Sequence, residues 1–292
     1  RVPMPGSVSQ HYLIERRNIK YTNDDLIGAG NFGCVYKATF TKEDGSELRV
    51  AIKTFNTTEE PRNVEEEANI LEKLEHPNIV KFYGFCRTAQ IIVMELVKGD
   101  NLVKYLQKCK HEKQLPGYQK LLQFCLDIAQ GMEYLASKSV IHCDLACRNV
   151  LLTEDLTPKI TDFGLSKFLG DKGYYTRSMQ KKTNILWSAP ETVNSSTRKL
   201  STESDVWSFG IVMWEIFSYG AYPNICGTGM NDMDHFASFI IQQGCNLAKT
   251  DNCPEHVYSL MKDCWKMEPK NRPSFTGLVG KLKSFFHVPA IT

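Results

Sequence analysis

The 292-residue chain has no C-x-x-C pair despite its ten cysteines, so the spacing that supports a structural zinc site or a dithiol redox centre is missing. Its single, apolar-flanked cysteines read as the reduced thiols of a cytosolic protein. No apolar run reaches the ~18 residues that a membrane-spanning helix needs. The two best runs, IIVMELV and FGIVMWEIF, are interrupted by Glu95 and Glu215. Charge of one sign is also lacking: 35 Lys and Arg against 33 Asp and Glu leave +2, too little to draw in nucleic acid or an anionic membrane. There is no internal repeat, no low-complexity block and no G-x-x-x-x-G-K-[ST], which sets aside solenoids, disordered tails and P-loop ATPases. The first residues show neither Met nor an apolar leader, so no secretory signal is expected and Arg1 reads as a cut from a longer polypeptide. The sequons at Asn56 and Asn194 read as chance matches.

What is present is an ordinary globular composition, 42% hydrophobic and 23% charged, long enough to bury roughly three quarters of its unfolded surface. The composition shifts along the chain. Residues 21 to 97 hold short β-type runs at Cys34 to Phe40, Arg49 to Phe55, Ile79 to Phe85 and Ile91 to Val97. One helical stretch, residues 64 to 75, interrupts them, with Val64, Ala68, Leu71 and Leu74 at helical spacing. Gly99 and Asp100 mark a break. Beyond it amphipathic helices dominate. Residues 118 to 137 carry an apolar stripe of Leu121, Leu122, Cys125, Ile128, Ala129, Met132 and Leu135, and Asp205 to Phe217 is apolar nearly all round, as a core helix would be.

Gly28-Ala29-Gly30-Asn31-Phe32-Gly33 is a G-x-G-x-x-G sequence. In a dinucleotide-binding turn that spacing opens a helix whose N-terminus binds pyrophosphate. Here CVYKATF follows, alternating and β-branched, so the loop is expected to join two antiparallel strands and to bring backbone N–H groups close to phosphate. A plain glycine hairpin fits the same residues. Seventeen residues past Tyr36, in Val50-Ala51-Ile52-Lys53, strand alternation puts Lys53 on the face opposite Val50 and Ile52. A buried ammonium there needs an acid. Of Glu65, Glu66 and Glu67, only Glu67 shares a side with Leu71, so Glu67 is the expected partner and the other two are expected to be solvated.

The decisive segment is Ile141-His142-Cys143-Asp144-Leu145-Ala146-Cys147-Arg148-Asn149, followed thirteen residues after Asn149 by Asp162-Phe163-Gly164. Phosphoryl transfer asks for an aligned hydroxyl, charge neutralisation and magnesium on hard oxygen ligands. Asp144 can accept a hydrogen bond from a substrate hydroxyl, and Asn149 and Asp162 can hold the metal between phosphates.

With these pieces in this order, the chain from about Tyr21 to Phe286 resembles a protein kinase. Ala189-Pro190-Glu191, Asp205 to Gly210 and Arg272 to Phe275 extend the likeness. The resemblance implies an α+β, bilobal fold: an N-terminal extension at 1–20, a small antiparallel sheet lobe with one helix at 21–97, a larger helical lobe at 98–288 and a tail at 289–292. It implies ATP with Mg²⁺ or Mn²⁺ as cofactors. Phosphate contacts would come from Gly28, Ala29, Gly30, Asn31, Phe32, Gly33 and Lys53. Ile27, Val35, Ala51 and Leu151 would also contact the cofactor, beside the gatekeeper Met94 and the hinge from Glu95 to Val97, which would bind adenine through backbone groups. Glu67 would orient Lys53, Arg148 would stabilise charge on the transferred group, and Glu191 would pair with Arg272.

Ala146 where serine/threonine kinases have Lys, Arg148 four residues after Asp144, and Trp187 before A-P-E give the pattern of a tyrosine kinase. Adjacent Tyr174 and Tyr175, Met94 and the run from Lys104 to His142 most resemble the C-terminal kinase domain of a Janus kinase, with spleen-type and Fer-type kinases as alternatives. The resemblance implies protein substrates with an acceptor tyrosine, regulatory domains N-terminal in the parent chain, a cytokine-type receptor complex and a cytoplasmic location. Three residues depart from the family pattern. Cys143 replaces the Arg that contacts a phosphorylated activation loop, Asn184 replaces a Pro of the peptide shelf, and Leu186 replaces a Lys. A catalytically silent scaffold therefore stays open as a second reading. Tyr174 and Tyr175 are expected to be regulatory, answered by Arg177, Lys181 or Lys182. Cys143 and Cys147 read as two buried small side chains rather than a redox pair. The stretch 221–246 suggests no function.

Overall fold

The computed structural model describes residues 8–30, 33–55, 61–170, 173–176, 185–193, 198–223, 239–240, 242–245 and 247–287. It divides into two compact units. Arg1–Lys98 groups with Asp162–Ser166, and Gly99–Thr161 groups with Lys167–Thr292. The division falls between Lys98 and Gly99.

The first unit is an antiparallel sheet. Strands β1 (Ile19–Lys20), β2 (Leu26–Gly30), β3 (Gly33–Thr41), β4 (Glu47–Thr54), β5 (Phe82–Cys86) and β6 (Ile91–Glu95) run in the order β1-β3-β4-β6-β5, with β2 paired to β3. Alternation sorts β4 onto two faces. Val50 and Ile52 join Ile19, Ala38, Cys86, Ile91 and Val93 in one apolar cluster, while Ala51 and Lys53 turn the other way. Described residues of the N-terminal extension pack onto this unit. Ile19 and Lys20 pair with Phe40 and Thr39, the Ile14 N–H donates to the Phe85 carbonyl at 2.9 Å, and the Ser9 N–H donates to the Glu72 carboxylate at 2.8 Å.

Helix α1 covers Pro61–Leu71, so it starts and stops earlier than the 64–75 expected. Residues 73 and 74 close with i→i−3 bonds instead. Pro77 disfavours helical geometry at His76 and stops the helix from running on. Leu74 keeps the helical apolar spacing and is buried, yet it sits in a turn. Ile79 and Val80 are also buried without being strand, and β5 begins only at Phe82. Glu65 is not simply solvated, since Arg87 pairs with it at 2.6 Å.

The second unit is helical. Helix α2 (Leu102–His111) is capped by the Asn101 side chain, which accepts the Lys104 N–H at 2.9 Å. Helix α3 (Tyr118–Ser137) matches the expected span, and all seven residues of its stripe are buried. Two-stranded ladders follow: β7 (Val140–Ile141) with β10 (Lys167–Phe168), and β8 (Val150–Leu152) with β9 (Pro158–Ile160). The strand β11 (Tyr175–Thr176) pairs with β12 (Lys199–Leu200). After the short α4 (Pro190–Val193), helix α5 (Thr202–Phe217) is buried from Ser204 to Phe217 except at Trp214. Two more helices, Glu255–Cys264 and Phe275–Phe285, complete the described residues. Among those residues no helix is long and apolar enough to cross a membrane.

Arg272 ties this unit together. Two of its N–H groups form a fork onto Glu191 at 2.7 and 2.8 Å. The other three donate to the carbonyls of Glu203, Lys266 and Met267. All five guanidinium donors are thus used, and lysine has only three. Arg272→Lys is expected to lower unfolding free energy by about 1–3 kcal/mol, because buried acceptors lose their donors, and urea titration would read the loss.

Candidate active site

In the first unit, the strand pair β2/β3 encloses the glycine loop. Gly28, Ala29 and Gly30 face Val35, Cys34 and Gly33 across an antiparallel ladder, so the sequence opens a strand and not a dinucleotide-binding helix. Gly33 has φ of 132°, and a Cβ there would lie 1.9 Å from the Thr54 carbonyl oxygen. No other residue fits. Asn31 and Phe32 lie outside the described residues. Ile27 is exposed, Val35 is half-buried opposite Lys53, and Ala51 and Met94 are buried opposite each other on β4 and β6. Glu95 follows at the end of β6, and Val97 lies two residues past the strand end. Leu151, on β8, belongs to the second unit.

Lys53 meets Glu67 as expected, at 2.9 and 3.1 Å, and also meets Asp162 at 3.0 Å. Burial alone would lower the Lys53 pKa, but the two carboxylates outweigh it and hold the ammonium above the ordinary lysine value. Asp162 adopts φ of 64°, in the left-handed region, and Phe163 beside it is fully buried. A Cβ on Gly164 would stand 3.4 Å from both Lys53 Nζ and a Glu67 oxygen, so glycine leaves the ion cluster its space.

In the second unit, the catalytic loop hangs on two acids of α5. The Asp205 carboxylate accepts the His142 N–H at 2.7 Å and the Cys143 N–H at 3.0 Å. Cys143 reaches this position with φ of 67°, so successive N–H groups converge on one anion. Burial raises the Asp205 pKa, opposed by His142 and the two N–H donors. His142 is fully buried. Its Nε2 lies 3.0 Å from the Thr161 carbonyl oxygen, which can only accept, so Nε2 carries the proton. Its Nδ1 then accepts the Asp144 N–H at 3.3 Å.

Asp144 is gripped from two sides. Arg148 Nη2 donates to Oδ1 at 2.5 Å, while Asn149 Nδ2 donates to Oδ2 at 2.9 Å and to the Asp144 carbonyl at 2.7 Å. With its amide nitrogen turned to Asp144, Asn149 keeps Oδ1 as its side-chain acceptor, an oxygen of the kind that hard cations take. The described residues contain no group of three His, Cys, Asp or Glu that could hold a metal ion.

Cys147 is fully buried and Cys143 half-buried. Burial and the nearby Glu215 push the Cys147 thiol well up. Tyr174 and Tyr175 each lie beside a lysine. Lys199 Nζ lies 4.6 Å from the Tyr174 ring centre, and Lys167 Nζ lies 5.7 Å from that of Tyr175. Arg177, Lys181, Lys182 and Asn184 lie outside the described residues, as does most of 221–246. Leu186 is half-buried in a short 3₁₀ turn that ends at Trp187. Sequence reasoning gave no role to His142 or Glu215. The signal for Glu215 was a charged residue inside an otherwise apolar helix, which must be paired if buried.

The sequence profile of the family described as "protein tyrosine and serine/threonine kinase" matches residues 21–282. Among curated relatives, tyrosine-protein kinase Fer of Mus musculus is 43% identical over 260 residues, 87% of this chain. Fer of Homo sapiens is 41% identical over 264 residues, 88% of this chain. The chain spans about 30% of the length of these relatives.

Proposed function

Because the chain belongs to the family of protein tyrosine and serine/threonine kinases, we propose that it transfers the γ-phosphoryl group of ATP to tyrosine hydroxyls of protein substrates. The observation that carries this reading is the pair of intact clusters. Lys53, Glu67 and Asp162 form one, and Asp144, Arg148 and Asn149 form the other. Every residue type that phosphate, metal and hydroxyl need is present.

In this reading Lys53 holds the α- and β-phosphates, and Glu67 keeps its ammonium in place. Asn149 Oδ1 and Asp162 would each offer an oxygen to Mg²⁺, which would neutralise charge on the phosphates. Asp144 accepts the hydrogen bond of the acceptor hydroxyl and aligns its oxygen for attack. Arg148, already on Asp144, stabilises charge developing on the transferred group. Asp205 holds Cys143 through its backbone N–H, a contact that does not require the Arg side chain usual at this position.

The relatives support the Fer type, named among the alternatives, over the Janus type. They lend no support to a cytokine-receptor complex. The deciding experiment is phosphate transfer from γ-labelled Mg-ATP to a degenerate peptide library containing Tyr, Ser or Thr acceptors. Label on tyrosine peptides alone supports the reading, and an unlabelled library removes it.

Phosphorylation of Tyr174 or Tyr175 is proposed to raise activity through Lys199 and Lys167. One charge-assisted bond of about 1.5 kcal/mol corresponds to about tenfold in the active population. Tyr174→Phe/Tyr175→Phe is expected to lose about that factor after preincubation with Mg-ATP, measured as initial rate on a tyrosine peptide.

A further inference from the structure

Helix α5 carries two acids into the interior, and Asp205 holds the His142–Cys143 part of the catalytic loop. The other, Glu215, is equally buried. A carboxylate taken out of water is costly unless it is bound, so its partners show what it secures. Its Oε2 accepts the indole N–H of Trp187 at 2.9 Å and the backbone N–H of Cys147 at 3.0 Å. The first donor comes from the turn before Ala189-Pro190-Glu191. The second comes from the catalytic loop, one residue before Arg148. One oxygen atom thus joins two segments that are distant in sequence.

The chain of contacts continues outward. The Arg148 guanidinium lies over the Trp187 ring, 4.8 Å from its centre, and donates to Asp144. Trp187 is itself buried and meets the exposed Tyr222 ring edge-on at 5.6 Å. Ser208, on the same helix as Glu215, donates to the Trp187 carbonyl at 2.7 Å, so helix α5 holds this residue by both backbone and indole. Shifting the indole would therefore remove the platform on which Arg148 rests, and Arg148 is what grips Oδ1 of Asp144.

We propose that Glu215 is a positioning residue for phosphoryl transfer, fixing Trp187 beneath Arg148 so that Asp144 and the segment before Ala189-Pro190-Glu191 stay in one register. The role rests on the kinase reading given above. It differs from mere support of the fold in a testable way. Glu215 acts on the acceptor side, where Asp144 meets the hydroxyl, and not on Lys53 and Glu67.

The test compares Glu215→Ala, Glu215→Gln, Trp187→Phe and the Glu215→Ala/Trp187→Phe pair, using a tyrosine peptide and Mg-ATP. Glu215→Ala is expected to lower kcat/KM for peptide about tenfold, the size of one lost hydrogen bond to a charged group, with KM for ATP within about twofold. Glu215→Gln, whose amide oxygen can still accept both N–H groups, is expected within about threefold of the parent. Trp187→Phe keeps a ring under Arg148 but loses the donor, so adding it to Glu215→Ala should cost little more than Glu215→Ala alone. Peptide kcat/KM within about threefold of the parent in Glu215→Ala, or KM for ATP rising in step with that for peptide, overturns the proposal.

If Glu215→Ala does not fold, Trp187→Phe decides: unchanged peptide kinetics overturn the proposal, and a loss confined to peptide supports it. If the parent transfers no phosphate, the kinase reading fails on its own control, and Trp187 emission decides the rest. Subtracting the Trp187→Phe spectrum isolates this indole. A red shift in Glu215→Ala that Glu215→Gln does not share supports a residue 215 oxygen that holds the ring, and unchanged emission in Glu215→Ala overturns it.

Discussion

Asp144→Asn is expected to slow phosphate transfer to tyrosine by about 10²–10⁴-fold, the usual contribution of a positioned general base. Asparagine matches the shape of the side chain but is not an anion, and it cannot accept the hydroxyl proton. The geometry adds a second penalty. Both Asp144 oxygens already accept, one from Arg148 and the other from Asn149. An amide NH₂ placed at either position sets donor against donor, so the loop loses alignment as well as charge. KM for ATP is expected to stay near the parent value, because Asp144 is not among the residues assigned to phosphate or metal. Initial rates at saturating Mg-ATP check this. A variant that transfers phosphate as fast as the parent would remove Asp144 from the mechanism.

Lys53→Met is the second large effect, and it acts on stability as well as rate. Methionine fills nearly the same volume but takes the cation away from Glu67 and Asp162. Breaking a buried ion pair from one side costs about 3–5 kcal/mol, because the remaining charge stays desolvated. Glu67, which is 3% exposed, bears most of this cost. It can escape by binding a proton, so its pKa in the folded variant should rise above the unfolded value. A carboxyl so raised contributes stability below the unfolded pKa and loses it as pH rises through the folded one. The deficit against the parent should therefore be largest near neutral pH and shrink toward pH of about 4.5. Urea titrations of both proteins across that range would show it. A deficit independent of pH would mean that Glu67 is held by something other than Lys53.

The parts of the site legible in the sequence are those where a local rule had one solution. Strand alternation around Val50 and Ile52 left Lys53 one face, and helical spacing from Leu71 left Glu67 as the inward acid. The β-branched residues after Gly33 ruled out a helix there. What could not be read depends on contacts between distant segments or on competing local rules. The end of α1 was misplaced because Leu74 keeps the apolar period while Pro77 breaks the backbone. Ile79 and Val80 looked like strand because burial, not ladder pairing, selects their side chains. Arg177, Lys181 and Lys182, the cations expected for Tyr174 and Tyr175, lie outside the described residues, whereas Lys199 comes to Tyr174 through the β11/β12 pairing, which proximity along the chain does not reveal. Glu215 was visible only as an interruption of an apolar run.

The grouping of Asp162–Ser166 with Arg1–Lys98 bears on how this protein can be dissected. A gene fragment ending at Lys98 would encode every strand of the large sheet yet omit one of the two acids that neutralise Lys53, together with the Phe163 side chain. Such a fragment would expose its lysine and any apolar surface that Phe163 covers, and it should be prone to aggregate. Supplying a synthetic peptide that spans Asp162 to Ser166 in trans is the natural complementation to try.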